Sequence, residues 1–206
     1  TFTEGDNIGL AYKVGTETEN FVQWSFDGSV WNQNGSSMTW KNIGDDHTFY
    51  AFYPYKTSAL LSEVPMPDLI NQKGTMESVA LCDFLVATKT MKYSNGGKVS
   101  FTGDDAFDHV SSLVVLTLKN TGDLTSATIN NVSLEGADLV AESTYSFDNK
   151  TVTRMNSNDA MSANISSENG AMNGEFRKFY FVVNSGTVDL SAVTLSITYT
   201  SAGGEA

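Results

Sequence analysis

Apolar and polar residues alternate one for one along most of this chain, and the 3.6-residue period of an amphipathic helix is nearly absent. Val193, Leu195, Ile197 and Tyr199 alternate with Thr194, Ser196, Thr198 and Thr200, which predicts a strand with one face buried. Val110, Val114, Leu116 and Leu118 repeat the pattern against Ser111, Thr117 and Lys119. Phe179, Phe181 and Val183 make a third row, where Tyr180 and Val182 suggest that both faces are covered. The run Phe49-Tyr50-Ala51-Phe52-Tyr53 is apolar on both faces, as a central sandwich strand would be.

Turn signals separate these runs at short intervals, the spacing of a sandwich or barrel. The clearest hairpin is Phe21–Phe26, then Asp27-Gly28, then Ser29–Gln33, because an Asp-Gly pair tolerates the positive φ angles of a type I′ turn. Strands are predicted near 8–14, 20–26, 29–33, 37–41, 47–53, 79–87, 98–102, 109–119, 126–135, 138–146, 150–155, 175–183 and 192–200. Two stretches lack clean patterning. Residues 55–78, with Pro65 and Pro67, read as a long connection, and 156–174, rich in Asn, Ser, Met and Gly, as an exposed loop. The fold class expected is all-β, an antiparallel β-sandwich of Greek-key type, with one domain over 1–200 and a linker over 201–206.

Composition narrows the function. Forty per cent apolar residues, including 12 Phe, 8 Tyr and 3 Trp, suffice for a packed core. Acidic residues outnumber basic ones 24 to 12, and no Lys/Arg cluster offsets the net charge of −12. Nucleic acid is therefore not an expected partner. The single cysteine, Cys82, excludes an internal disulfide. Strand alternation through Ala80–Val86 places Cys82, Phe84 and Val86 on one face opposite Asp83, so the thiol reads as buried and structural.

Catalytic chemistry finds little support. Only His47 and His109 exist, and neighbours along a strand point to opposite faces, so Asp108 is poorly placed to orient His109. Both histidines are expected to be structural. Two histidines and one cysteine without metal spacing do not make a zinc site. Asp104, Asp105 and Asp108 cluster beside Gly103, yet lack the ligand spacing of a calcium loop, and read as a solvated turn. The expectation is no catalytic residue, no metal and no cofactor. Trp24 shares strand parity with Val22 and Phe26 and is expected in the core. Trp31 and Trp40 are the candidate ligand-platform aromatics, the kind that stack on sugar rings when exposed.

Several segments in order resemble a known family. Phe2-x-x-Gly5-Asp6-x-Ile8-Gly9-Leu10 is similar to the opening motif of the Bacteroidales fimbrillins, the type V pilins and their Mfa-like surface relatives. Asp27-Gly28 with Trp31, then Trp40, then Phe49–Tyr55 follow in the family's order. Gln72, Asp83–Ala87 and Phe107–Leu113 resemble its subsequent elements. The resemblance covers residues 2–118 and points to the family's N-terminal domain. It implies transthyretin-like β-sandwiches, a lipoprotein-derived subunit exported through the outer membrane to the cell surface, and a non-enzymatic role. It also implies partners that are other pilin subunits, joined by donor-strand exchange after an N-terminal strand is removed. The alternative is a surface sandwich that does not polymerise and binds carbohydrate or a host or bacterial surface ligand. In that case Trp31, Trp40 and the 156–174 loop would share one exposed patch.

Overall fold

A computed structural model describes residues 1–35, 37–119, 127–136, 139–155, 160–165, 176–184, 190–201 and 204–205. The strands run β1 Asn7–Val14, β2 Glu17–Phe26, β3 Trp31–Gln33, β4 His47–Tyr53, β5 Val64–Pro65, β6 Asn71–Gln72, β7 Leu85–Met91 and β8 Asp108–His109. They continue with β9 Ser111–Lys119, β10 Thr128–Glu135, β11 Ser143–Ser146, β12 Thr151–Arg154, β13 Ala160–Asn164, β14 Phe176–Asn184, β15 Thr194–Ser201 and β16 Gly204–Glu205. A single α-turn, α1, spans Val79–Cys82. The expected all-β, antiparallel, sandwich-like architecture is what these elements form, with β6 on β13 the one parallel pair among them.

The described residues fall into two compact units. The first comprises Thr1–Met66, Phe84–Val110 and Thr144–Thr153. Its centre is a six-stranded sheet in the order β3-β2-β1-β4-β7-β8. Period-two alternation divides β1 and β4 between two cores. Ala11 and Phe52 face a cluster with Val64 of β5 and Tyr145 of β11, so the three-stranded sheet β12-β11-β5 closes that side. Leu10, Tyr12, Phe49 and Ala51 face the other way, where Met38, Trp40, Val99, Phe101 and Phe107 cover them from outside any strand. A sheet packed on both faces needs close approach somewhere. Gly9 supplies it, since a Cβ there would overlap the Phe52 ring.

The second unit comprises Pro67–Asp83, Ser111–Ser143 and Arg154–Ala206. A five-stranded sheet, β16-β15-β10-β13-β6, faces the two-stranded sheet β14-β9. Ile129, Val132 and Leu134 of β10 and Met161 and Ala163 of β13 meet Phe179, Phe181 and Val183 of β14 in one core. Val114, Leu116 and Leu118 of β9 pack against its edge.

Several local expectations are corrected. Segments 37–41 and 98–102 are not strands, although Met38, Trp40, Val99 and Phe101 do lie on the sheet face. Segment 79–87 begins as helix, so Cys82 ends α1 and joins the second unit's core, while Phe84 joins the first unit's. Residues 160–164, expected within a loop, form β13 with Met161 and Ala163 fully buried; 156–159 and 166–174 lie outside the described residues. Beyond these segments, Ser201 closes β15 and Gly204–Glu205 pairs back on it. The first hairpin closes at Phe26↔Trp31, leaving a four-residue loop in place of a two-residue turn. The Asp27 carboxylate accepts from the N–H groups of Ser29 and Val30 at 2.9 and 2.8 Å, which holds the wider loop.

Candidate functional site

The sheet β14-β9 has two outer edges, and the sequence treats them differently. Along β14, Tyr180 N–H donates to the Gly74 carbonyl at 3.0 Å. Two residues on, Val182 N–H donates to Gln72 Oε1 and Gln72 Nε2 donates to the Val182 carbonyl, each at 2.9 Å. The Gln72 amide thus stands in for one residue of a neighbouring strand. It is 5% exposed, buried with a donor and an acceptor in matching positions. Gly74 reaches its place through a positive φ of 69°, where a side chain would press on Ile165 and Ala163.

The other edge belongs to β9. Register pairs Val115 with Tyr180 and Leu113 with Val182. Because Tyr180 and Val182 spend their edge groups on Gly74 and Gln72, these are the non-hydrogen-bonded pairs of the ladder. Leu113 and Val115 therefore turn their own N–H and C=O away from β14. No described strand pairs with that edge. Beside it the same residues carry exposed apolar side chains, Leu113 at 44% and Val115 at 46%. Among the described residues β9 thus keeps a nine-residue edge unpaired, with Leu113 and Val115 exposed in an outer row that also holds Ser111, Thr117 and Lys119.

The first unit holds a different feature. Trp31 and Trp40 are half-buried. They line one recess of about 750 Å³ together with Trp24, Phe49, Phe101 and Phe107. Trp40 donates its indole N–H to the Gly97 carbonyl at 3.1 Å and packs edge-on against His47, Phe49 and Tyr93. Trp31 packs against Phe2 and Phe26.

The titratable groups fit structural roles. His47 is fully buried, with Nε2 2.6 Å from the Lys41 carbonyl and Nδ1 3.1 Å from that of Asp45, so it pins the loop before β4. His109 is exposed on the two-residue β8, opposite Leu85. Asp105 pairs with Lys89 at 3.0 Å. Burial pushes the Cys82 thiol up from its ordinary range, with Asp68 and Asp83 adding to the effect. Burial raises the Tyr145 phenol too, with Asp108 contributing. Among the described residues no three His, Cys, Asp or Glu side chains converge as metal ligands, and no helix is long and apolar enough to cross a membrane.

Sequence reasoning misses both the Gln72 clamp and the asymmetry of the two edges. Gln72 stands out only as a motif residue; a lone Gln among Asn, Lys and Gly carries no sign of a partner 110 positions away.

A family model described as fimbrillin-like matches residues 1–205. A solved protein of Bacteroides ovatus ATCC 8483, to which a role in cell adhesion has been ascribed, superposes with a TM-score of 0.61 at 15% identity, over 100% of this chain and 76% of that one. A fimbrial protein from the same strain gives a TM-score of 0.48 at 15% identity, over 100% of this chain and 40% of the other. A search of the curated proteins found no match. At such identity the first likeness speaks for the fold alone.

Proposed function

Because the chain belongs to the fimbrillin-like family, we propose that it is a non-enzymatic structural or adhesive subunit of a bacterial surface pilus, joined to its neighbours by donor-strand exchange. In this reading residues 1–200 act as one module, since a single family model runs across both compact units. The subunit is exported through the outer membrane and works on the cell surface.

The observation that carries the reading is the β9 edge. Strand exchange needs an acceptor whose ladder groups are unpaired and whose adjacent side chains reward an apolar donor. Leu113 and Val115 offer both, while Gln72 and Gly74 blunt the β14 edge, so a donor would add on one side in one register. Exposed edges of this kind are normally covered or charged, which makes one that no described strand pairs informative.

The test uses proline as a selective block. The Val115 N–H points to the free edge, so Val115→Pro removes a donor that β14 does not use, a position where a strand tolerates proline. Val114 lies opposite Phe181 on the hydrogen-bonded side, so Val114→Pro should disrupt the β14 ladder itself. Full-length protein taken from its native surface should run as a ladder on partly denaturing gels. The Val115→Pro protein should run as monomer with an unchanged far-UV circular dichroism spectrum, and Val114→Pro should lose that spectrum. A wild-type protein that shows only monomer, or a Val115→Pro protein that ladders normally, overturns the reading.

A further inference from the structure

The recess in the first unit is lined by that unit's residues alone and has the makings of a ligand site. It opens on the face of the central sheet that coil, and not a second sheet, covers. Its volume of about 750 Å³ falls within the ~300–1,000 Å³ usual for small-molecule sites. Its rim is built and not accidental. Gly96 and Gly97 take positive φ angles of 69° and 79°, and a Cβ on Gly97 would stand 2.7 Å from the Trp40 indole nitrogen that bonds its carbonyl. The backbone can lie against that ring because residue 97 is glycine.

The lining selects a chemistry. The chain has 24 acidic residues, and none of them is among the described residues of the recess. Lys98 is the one charged side chain there. Asn, Gln, Arg and His, whose paired donors and acceptors grip sugar hydroxyls, are missing from the described lining as well. What remains is an aromatic and aliphatic wall with a few hydroxyls. Two of its donors are already spent, Tyr12 Oη on the Thr39 carbonyl at 2.6 Å and Trp40 Nε1 on Gly97. Trp24 Nε1 is buried with no hydrogen-bond partner among the described residues, which is costly until an acceptor reaches it.

We infer that this recess binds a small anionic amphiphile: an apolar body against the tryptophans and phenylalanines, and a carboxylate held by Lys98 at the rim. The apolar wall supplies the affinity by burial. Lys98, in a lining without carboxylates, supplies the sign of charge. The inference holds whether or not the subunits polymerise.

All three tryptophans of the chain line the recess, so tryptophan emission, excited selectively over the eight tyrosines, reports on it. The full chain is titrated with dodecanoate below its micelle concentration, and in parallel with dodecanol, dodecyltrimethylammonium and maltoheptaose. Dodecanoate should give a saturable change in tryptophan emission, at least tenfold tighter than the cationic amphiphile. Lys98→Glu should erase or reverse that preference while the fold is kept, and Trp24→Phe should weaken dodecanoate severalfold. Sedimentation velocity on the ligand-free chain accompanies the titration. No saturable change, equal binding of all three C12 compounds, binding of the oligosaccharide, or a ligand-free dimer that dodecanoate dissociates would each overturn the inference.

Discussion

Replacing Gln72 by leucine isolates the clamp on β14. Leucine has similar volume and keeps the packing beside Met161, so the change removes polar groups with little cavity. It strands the Val182 N–H and carbonyl, both held at 2.9 Å by a side chain 5% exposed, on a residue itself 2% exposed. Each buried group left unsatisfied costs about 1–3 kcal/mol, so the expected loss for the two is roughly 2–6 kcal/mol. That is a large part of the ~5–15 kcal/mol typical of a domain. Urea unfolding followed by far-UV circular dichroism measures it, and amide hydrogen exchange locates it at Val182. Gln72→Glu adds a signature in pH. A carboxylate still accepts from Val182 N–H but cannot donate to its carbonyl, and burial disfavours the charge, so the folded-state pKa rises above the unfolded one. The folded state then binds more protons. The introduced carboxyl donates again once protonated, so the Gln72→Glu protein should gain stability as pH falls through that raised pKa. A Gln72→Leu loss under about 0.5 kcal/mol with unchanged Val182 exchange would refute the strand-surrogate argument, because a stranded pair cannot cost so little.

Other consequences are quicker to check. Gly9→Ala drives a Cβ into the Phe52 ring at the centre of the first unit and should cost about 1–3 kcal/mol in thermal or urea melts. His47→Leu keeps the volume but releases the Lys41 and Asp45 carbonyls, and should cost about 2–4 kcal/mol by the same melts. Cys82, 9% exposed and with its thiol pushed up by burial, should react with iodoacetamide far more slowly than a free thiol at pH 8. With the folded pKa raised, the unfolded state loses its proton first, so Cys82 contributes a fall in stability as pH rises above about 8.5, a slope that Cys82→Ala should flatten. Lys13→Met breaks the 2.9 Å pair with Asp148, but both side chains are over a third exposed, so the melt should shift by less than about 1 kcal/mol.

Strand existence was legible because its signal is local: alternation of β-branched and aromatic residues needs only a few neighbours to read. His47–Tyr53, Thr194–Ser201 and Phe176–Asn184 stand within a residue or two of where the pattern puts them. The same signal misleads at Met38–Trp40 and Val99–Phe101, which alternate correctly and face the sheet yet join no strand ladder among the described residues. Alternation reports which side is dry, not whether a neighbouring strand supplies hydrogen bonds. Trp31 and Trp40 stand out in the sequence, but their company with Trp24 around one recess depends on the β2 and β4 registers and on where the 96–102 coil lies.

The sequence by itself therefore settled the class of fold, the net acidic charge with no Lys/Arg cluster along the chain, the lone thiol and the family likeness, all of which are written in residue type and short spacing. The tertiary structure alone decided which strand edge no described strand pairs, that Gln72 closes the other across 110 residues, and that three tryptophans line a recess beside a single lysine. The division has one cause. Side-chain pattern is a property of neighbours in the chain, whereas a backbone group's hydrogen-bond partner and an aromatic ring's contacts are fixed by whichever distant segment packs against them.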